Sequence, residues 1–231
     1  MRIGFVSHIV PGHANPISSL ARTLQARGNE VLFFSMPDGA PFATAAGLKH
    51  VSFAEQEFPL GSALQAQAIQ SRLQGHEATM FALNRLGDTC DALFRHLPAV
   101  LAGAELDGVV LDPAHIGAGL IPASLGLPYI HVNLSFHFDL TGQTPFFIFD
   151  WPYETTREAI ARNKIGAAAV SKLIEPLYAK ARDFAASQNL TVDFSDPFVT
   201  LSPLAILTQV PREFDFPGVF GRGTFIHRSI Q

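Results

Sequence analysis

The spacing of apolar and polar positions changes period along the chain, and each change predicts a new element. Residues 2–9 (RIGFVSHI) form an apolar run typical of a buried strand. Over residues 16–27 the apolar side chains recur every third or fourth position, as in an amphipathic helix. Gly28 ends this helix, and residues 30–36 (EVLFFSM) form a second apolar run. The first 36 residues therefore predict a β-α-β unit.

The same alternation of strands and helices continues through most of the chain. The further predicted elements are a short helix at 40–47, a strand at 49–54, one or two helices within 61–104, a strand at 107–113, a helix at 115–126, a strand at 128–135, a helix at about 155–188 and a strand at 204–211. This pattern predicts an α/β fold with a Rossmann-like, doubly wound, mostly parallel sheet and helices on both faces. The expected strand order is 3-2-1-4-5.

Two segments depart from the alternation. Residues 136–154 (FHFDLTGQTPFFIFDWPYE) are rich in aromatic residues, proline and glycine, and they predict a long functional loop. Residues 218–231 are rich in glycine and basic residues and predict an interdomain linker or a truncated tail. We therefore expect one Rossmann-like domain over residues 1–217.

Composition narrows the function classes. Hydrophobic residues make up 48% of the 231 positions and charged residues 16%, with 20 Phe, so apolar surface is available for a ligand or a partner as well as for a core. The net charge of -4 argues against nucleic-acid binding. Cys90 is the only cysteine, and no apolar run reaches the ~18 residues that a membrane helix needs. A cytoplasmic protein is expected.

His13 and Asp112 are the candidate chemical groups. In a doubly wound sheet, ligands bind beyond the carboxyl ends of the strands where the strand order reverses. His13 lies in the loop after the first strand, before a helix that Asn15 is expected to cap and Pro16 to begin. Asp112 ends the strand expected beside it. We predict a contact of hydrogen-bond length between their side chains.

A histidine held by a carboxylate is a competent general base, because the carboxylate fixes its tautomer and stabilises the imidazolium. The pair would then deprotonate a hydroxyl or a similar nucleophile. The alternative is structural: His13 is a loop residue and Asp112 caps a helix that begins at His115. The sequence spacing leaves both interpretations open.

Three segments resemble a known family. Residues 11–34 (PGHANPISSLARTLQARGNEVLFF) resemble the first strand, loop and helix of the UDP-glycosyltransferases of the GT-B type, with the family's G-H-x-N-P motif at residues 12–16. Residues 108–133 resemble that family's segment from the aspartate to L-G-I-P, and residues 144–166 are similar to bacterial zeaxanthin-glucosyltransferase-like and macrolide-glycosyltransferase-like members. The resemblance covers residues 1 to about 217.

The resemblance implies a mechanism and a binding site. His13 matches the general base that deprotonates an acceptor hydroxyl, and Asp112 matches the aspartate that orients it. The hydroxyl attacks a UDP-sugar, the donor co-substrate, with inversion, and no tightly bound cofactor is implied. The acceptor pocket lies in this half of the family's fold, and the residues expected to bind an apolar, hydroxyl-bearing acceptor are His115, Phe136, Phe146, Phe147 and Trp151. Gly12 and Asn15 are expected at a helix N-terminus near the donor phosphate.

The family's second half holds the nucleotide-sugar through a histidine-glycine-serine/threonine signature and an acidic-glutamine end, and neither occurs here. We therefore expect an acceptor-binding half whose C-terminal donor domain is absent and which does not transfer sugar unaided. A non-catalytic module that binds an apolar ligand or a separate donor-domain partner is the alternative. A lipophilic acceptor would add a peripheral membrane contact. The phenylalanines of 136–154 fit an apolar acceptor pocket and, equally, a core or a face buried against the missing half.

Other chemistries have weaker signals. A metal site could be formed by His131, His137 and Asp139, but the chain has no cluster with zinc-site spacing. A hydrolase triad could be formed by Ser7, His13 and Asp112, but the G-x-S-x-G motif of a nucleophile elbow is absent. An unrelated nucleotide-dependent α/β enzyme stays open, although both phosphate-binding glycine fingerprints are missing. No metal is expected.

Overall fold

A single parallel sheet organises the computed structural model, which describes residues 1–135, 139–196, 198–216 and 225–227. In these ranges it contains seven strands in the order β3-β2-β1-β4-β5-β6-β7. The strands are β1 (Arg2–Val6), β2 (Glu30–Ser35), β3 (Lys49–Ser52), β4 (Gly108–Leu111), β5 (Tyr129–Asn133), β6 (Ile206–Thr208) and β7 (Phe225–His227). Each neighbouring pair is parallel. The predicted order of the first five strands is confirmed, and the order reverses between β1 and β4.

Helices connect the strands. They are α1 (Pro11–Ala26), α2 (Ala40–Ala45), α3 (Ser62–Gln70), α4 (Gly75–Ala102), α5 (Leu120–Ser124) and α6 (Arg157–Ser187), with short 3₁₀ turns at Pro37–Gly39 and Arg212–Phe214. The predicted region 61–104 thus forms two helices. The helix predicted over 115–126 is wrong in its first half: Gly117 adopts a φ of +83°, which a right-handed helix does not accommodate, and α5 begins only at Leu120.

Helix α1 begins five residues before the predicted start. Val10 is its N-cap, Pro11 occupies the first position, and the amides of His13 and Ala14 both donate to the Val10 carbonyl oxygen at 2.9 Å. Proline suits this first position because its φ is already helical and the N–H it lacks has no helical acceptor there. The prediction that Asn15 caps the helix is therefore wrong. His13 is the third residue of a helix rather than part of a free loop.

The sheet has a hydrophobic core on each face. Phe33 and Phe34 are neighbours on β2 and both are fully buried, Phe33 on the side of α1 and α2, and Phe34 on the side of α4, α5 and α6. Successive side chains of a strand point to opposite faces. Covering both faces is typical of parallel sheets, and the predicted Rossmann-like α/β class with helices on both faces is confirmed.

Residues 225–227 add the seventh described strand to the sheet. β7 pairs with β6 in parallel, with Ile206 opposite Phe225. The predicted boundary between residues 217 and 218 falls outside the described residues, so the linker assignment stays a prediction. Along the described parts of the chain, no helix combines the length and the apolar character needed to cross a membrane.

Candidate active site

The His13 and Asp112 side chains meet at the point where the strand order reverses. His13 Nδ1 lies 2.8 Å from Asp112 Oδ2, so the predicted contact is confirmed. Asp112 directly follows β4 and is only 1% exposed. Its carboxylate also accepts hydrogen bonds from the backbone N–H of His8 at 3.1 Å and of Ala114 at 2.9 Å. A helix capped by Asp112 is not observed, since the residues after Ala114 form turns.

The hydrogen bond fixes the tautomer of the neutral His13 ring. An ionised carboxylate only accepts hydrogen bonds, so Nδ1 of His13 carries the hydrogen and Nε2 keeps its lone pair. Asp112 is ionised: burial by itself raises its pKa, but the hydrogen bond and charge of His13, together with the charge of His115 and the hydrogen bond from the Ala114 N–H, outweigh burial, and the pKa lies below its ordinary value. The hydrogen bond to Asp112 raises the pKa of His13 against the smaller opposing effect of burial. The pair is arranged as a proton acceptor with an anionic partner.

A second histidine pair lies beside the dyad. His8 Nδ1 is 3.3 Å from His115 Nε2, and the His8 ring lies edge-on to the His13 ring at a centroid distance of 5.5 Å. Burial lowers the pKa of His115 to about 3 and also lowers the pKa of His8, so both rings are neutral near pH 7. From its position at the end of the first strand, His8 is expected to be a packing residue or to lie at the edge of a cleft. Its place just beyond the carboxyl end of β1 is the one signal for this expectation.

Gly117 positions the turn that carries His115. Its φ of +83° lies in the region that favours glycine, and a Cβ added to it would lie 2.6 Å from Cβ of Ala181 and 3.0 Å from Cζ of Phe94. Ala181 belongs to α6 and Phe94 to α4. The turn thus approaches both helices more closely than a residue with a side chain could.

The substitution Gly117→Ala should destabilise the protein by about 2–5 kcal/mol, the sum of a left-handed backbone cost and an overpacking cost. Gly126→Ala is the matched control, since Gly126 has a φ of +66° but no atom within 4 Å of the added Cβ. This control should lose only about 1–2 kcal/mol. Urea unfolding of the two variants measures the difference. Equal losses would show that the close approach to α4 and α6 contributes nothing.

A large cleft opens next to the histidines. Its volume is about 1560 Å³, above the roughly 300–1,000 Å³ of common small-molecule sites. His8, His13 and His115 line the end formed by the sheet. The remaining walls are mostly apolar and come from α3, α4, α6 and the loop before α6; examples are Leu64, Leu86, Leu93, Leu173, Ile174 and Phe146. The dyad therefore faces an apolar cleft.

The structure brings together some of the predicted acceptor-binding residues. His115, Phe146 and Phe147 line the cleft, with Phe147 60% exposed at its rim. Phe136 lies outside the described residues. Trp151 does not line the cleft: it stacks on Phe149 at a centroid distance of 4.2 Å and packs on α6 against Gly166, whose missing Cβ leaves room for the indole ring.

Gly12 lies in the first turn of α1, as predicted for the helix N-terminus, whereas Asn15 lies beyond that turn. Gly12 and Asn15 are exposed on α1 and do not line the cleft, whereas Pro11 and His13 do. Asn15 is the fifth residue of α1 and therefore presents no cap at the helix end. A role for Gly12 or Asn15 near a donor phosphate stays a prediction.

The alternative chemistries gain no support from the described residues. His131 Nδ1 accepts a hydrogen bond from the Ser202 backbone N–H at 2.9 Å, and Asp139 accepts from the backbone N–H groups of Thr141 and Thr144. His137 lies outside the described residues, and the described part of the chain holds no metal-ligand group of three side chains. The hydroxyl of Ser7 donates to the His8 carbonyl oxygen, so its hydrogen bond does not lead to the dyad.

Comparison with known proteins gives a consistent fold but distant sequences. No family model matches the chain. A zeaxanthin glucosyltransferase of Pseudescherichia vulneris is 23% identical over 215 residues, which cover 89% of this chain and 48% of that protein. The chain thus spans about half the length of this curated relative.

Solved structures of glycosyltransferases show the same fold. The Streptomyces sp. SF2575 glycosyltransferase SsfS6 has a TM-score of 0.56 and 19% identity, over 98% of this chain and 53% of that chain. The calicheamicin glycosyltransferase CalG4 has a TM-score of 0.60 and 18% identity, over 97% and 50%. VinC, solved in complex with dTDP, has a TM-score of 0.57 and 16% identity, over 97% and 52%. The chain has the fold of the N-terminal half of a GT-B glycosyltransferase, as the sequence motifs predicted.

Proposed function

We propose that this chain is the acceptor-binding half of an inverting glycosyltransferase, which transfers a sugar from a UDP-sugar to a hydroxyl of an apolar small molecule. The observation that supports the proposal most is the 2.8 Å contact between His13 and buried Asp112 at one end of an apolar cleft. A histidine with a free Nε2 and a carboxylate behind Nδ1 is suited to general-base chemistry.

In the proposed reaction, His13 Nε2 removes the proton of the acceptor hydroxyl while its oxygen attacks the anomeric carbon of the donor. The new carbon–oxygen bond forms as the bond from that carbon to the diphosphate oxygen breaks, and UDP leaves with the electron pair. Attack from the side opposite UDP inverts the configuration of the carbon. The charge of Asp112 stabilises the imidazolium that forms.

The cleft supports an apolar acceptor. Its walls are mostly apolar, and its volume of about 1560 Å³ admits a molecule larger than a monosaccharide. Leu60, Leu64 and Phe147 line the cleft and are exposed. If the acceptor is lipophilic, these side chains give the protein an apolar rim for peripheral contact with a membrane. A cytoplasmic location is part of the proposal, and the unpaired, buried Cys90 supports it.

A nucleotide-sugar donor is proposed by analogy with the structural neighbours, two of which were solved with a thymidine nucleotide, and the choice of UDP rests on the family resemblance of the sequence motifs. Binding of the nucleotide-sugar is assigned to a C-terminal donor half, because residues 1–231 contain no match to the family's donor signature. No tightly bound cofactor takes part in the proposed reaction.

Transfer assays test the proposal directly. The whole protein encoded by the gene and the 231-residue chain are each given UDP-glucose or dTDP-glucose with zeaxanthin, the acceptor in the name of the curated relative, or with a small phenol. We expect transfer only when a donor half is present, whether fused or added separately. Acceptor binding without transfer in every combination would support the non-catalytic binding module. Tight UDP binding by the chain alone would favour an unrelated nucleotide-dependent enzyme.

A further inference from the structure

The pair of His8 and His115 has no part in the proton transfer described above. His115 is buried, and its Nδ1 has no hydrogen-bond partner among the described residues. Its Nε2 lies 3.3 Å from His8 Nδ1. Two neutral imidazoles at this distance form one hydrogen bond, in which one ring donates and the other accepts. The direction of that hydrogen bond decides whether Nε2 of His8 is a donor or an acceptor towards the cleft.

The unpartnered nitrogen of His115 decides the direction. A neutral imidazole has one N–H donor and one lone-pair acceptor. If Nδ1 of His115 carried the hydrogen, a buried N–H donor would be left unpaired, and buried orphan donors are rarer than under-satisfied acceptors. With the hydrogen on Nε2, His115 donates to His8 Nδ1 and leaves only a lone pair unpaired. This second tautomer is the favoured one.

The tautomer of His8 follows from that of His115. Because Nδ1 of His8 accepts, its hydrogen lies on Nε2. The His115 side of the ring is buried, while His8 lines the cleft. The hydrogen bond from His8 to Asp112 uses the backbone N–H of His8. The His8 ring therefore makes no hydrogen bond to Asp112. The Nε2–H group is thus the polar part of His8 available to a ligand.

We propose that the His115–His8 pair presents a fixed N–H donor to the cleft beside His13, and that this donor binds a second oxygen of the acceptor, next to the hydroxyl that reacts. This inference rests on the proposed function, which places the reacting hydroxyl on His13. His8 is then a specificity residue that contacts the acceptor, and His115 is a positioning residue that acts through His8.

The spacing of the two rings defines the chemical class of acceptor. The centroids of His8 and His13 are 5.5 Å apart and the rings are nearly perpendicular. Both side chains line the same cleft, so one ligand in the cleft can contact both. His13 accepts a hydrogen bond from the ligand and His8 donates one to it. Two oxygens on adjacent carbons fit this arrangement, as in a vicinal diol, a catechol or a hydroxyl beside a carbonyl group.

Nitrogen-15 NMR of the labelled chain tests the tautomers without any ligand. At neutral pH we expect the His8 and His115 rings to be neutral, with the hydrogen on Nε2. The neutral form of the His13 ring should carry its hydrogen on Nδ1. In the variant His115→Phe, His8 should lose its single tautomer and give a mixture. A wild-type His8 with its hydrogen on Nδ1, or a cationic His8 at pH 7, would overturn the proposal.

Binding of phenol and catechol to the chain tests the second oxygen. Catechol offers an oxygen next to a hydroxyl, and phenol does not. We expect catechol to bind about three- to tenfold more tightly, as one net neutral hydrogen bond allows, and to shift the signals of His8 and His13 together. In His8→Phe the preference should disappear, while phenol binding should persist. His76→Phe makes the same replacement at an exposed position outside the cleft and should keep the preference.

The outcomes separate this inference from the proposed function. If phenol and catechol bind equally at His13, the second oxygen site is overturned and the proposed acceptor site stands. If neither compound shifts His13 or His8, the second oxygen site is overturned, and the transfer assays alone decide the proposed function. In His8→Phe the backbone N–H to Asp112 is retained, so the His13 signal should keep its tautomer. A change in that tautomer would show that His8 acts through the dyad and would overturn its role as an acceptor contact.

Discussion

The substitution His13→Ala should abolish most sugar transfer and leave the fold intact. We expect kcat/KM to fall by about 10²–10⁴-fold, the usual contribution of a general base. The Asp112 carboxylate remains bonded to two backbone N–H groups, which stabilise it in the absence of His13. Initial rates measured against acceptor and donor concentration, with the whole protein, give the size of the loss.

The control for this variant is His76→Ala, because His76 is exposed near the start of α4 and does not line the cleft. Its rates should match the wild type. Circular dichroism and thermal unfolding of His13→Ala establish that the protein is folded. A folded His13→Ala protein with wild-type turnover would exclude His13 as the base.

The sheet could be predicted from the sequence because its strands are buried on both faces. Runs such as residues 30–36 contain almost no polar residues, and Phe33 and Phe34 each fill one of the two cores. Such runs stand out from the amphipathic pattern of the helices between them. The topology rules for parallel sheets then limit the order of the strands, and the order found for β1 to β5 is the expected one.

Helix ends were harder to predict because two start signals compete in the same segment. Asn15-Pro16 offers a favoured cap residue and a first-turn proline, whereas Val10-Pro11 offers only the proline, because valine is a poor N-cap. The observed start at Pro11 brings His13 onto the helix. Sequence periodicity cannot choose between them, because Ile17, Leu20 and Leu24 share one helical face under either start.

The site could be predicted only where topology determines it. Asp112 and the segment containing His13 follow neighbouring strands, so their meeting required no knowledge of side-chain packing. The His8–His115 contact depends on the turn at Gly117, whose φ of +83° has no sequence signature beyond the glycine itself. The position of Trp151 depends on the space left by Gly166 on α6, which is a packing effect between segments and not a local pattern.

The substitution Asp112→Asn should have an effect as large as the loss of the base. The side-chain amide nitrogen of asparagine donates hydrogen bonds, so it favours the His13 tautomer with Nδ1 unprotonated and the hydrogen on Nε2. The base lone pair then points away from the acceptor, and the imidazolium loses its anionic partner. We expect transfer to fall by up to about 10⁴-fold, with little change in acceptor binding. The variant should be compared with the wild type in kcat and in KM separately.

The pH dependence of the residual activity distinguishes this explanation from simple misfolding. In the wild type the hydrogen bond to Asp112 raises the pKa of His13 above its ordinary value of 6.5. His13 is therefore unprotonated, and able to act as a base, only at higher pH. The fall in rate on the acidic side of the pH profile should lie above pH 6.5. Without the carboxylate, burial lowers the pKa of His13, and the limb should move to lower pH. An unchanged limb would show that Asp112 does not control the titration of His13.

The same pair makes stability depend on pH in a defined window. The raised pKa of His13 contributes stability that is fully present below 6.5 and is lost as pH rises through the raised value. The lowered pKa of Asp112 contributes stability that is present above 3.8 and is lost as pH falls through the lowered value. The wild type should therefore exceed Asp112→Asn in unfolding free energy most clearly between pH 3.8 and 6.5. Urea unfolding across this range measures the difference, and a constant difference at all pH values would exclude the charged pair as its source.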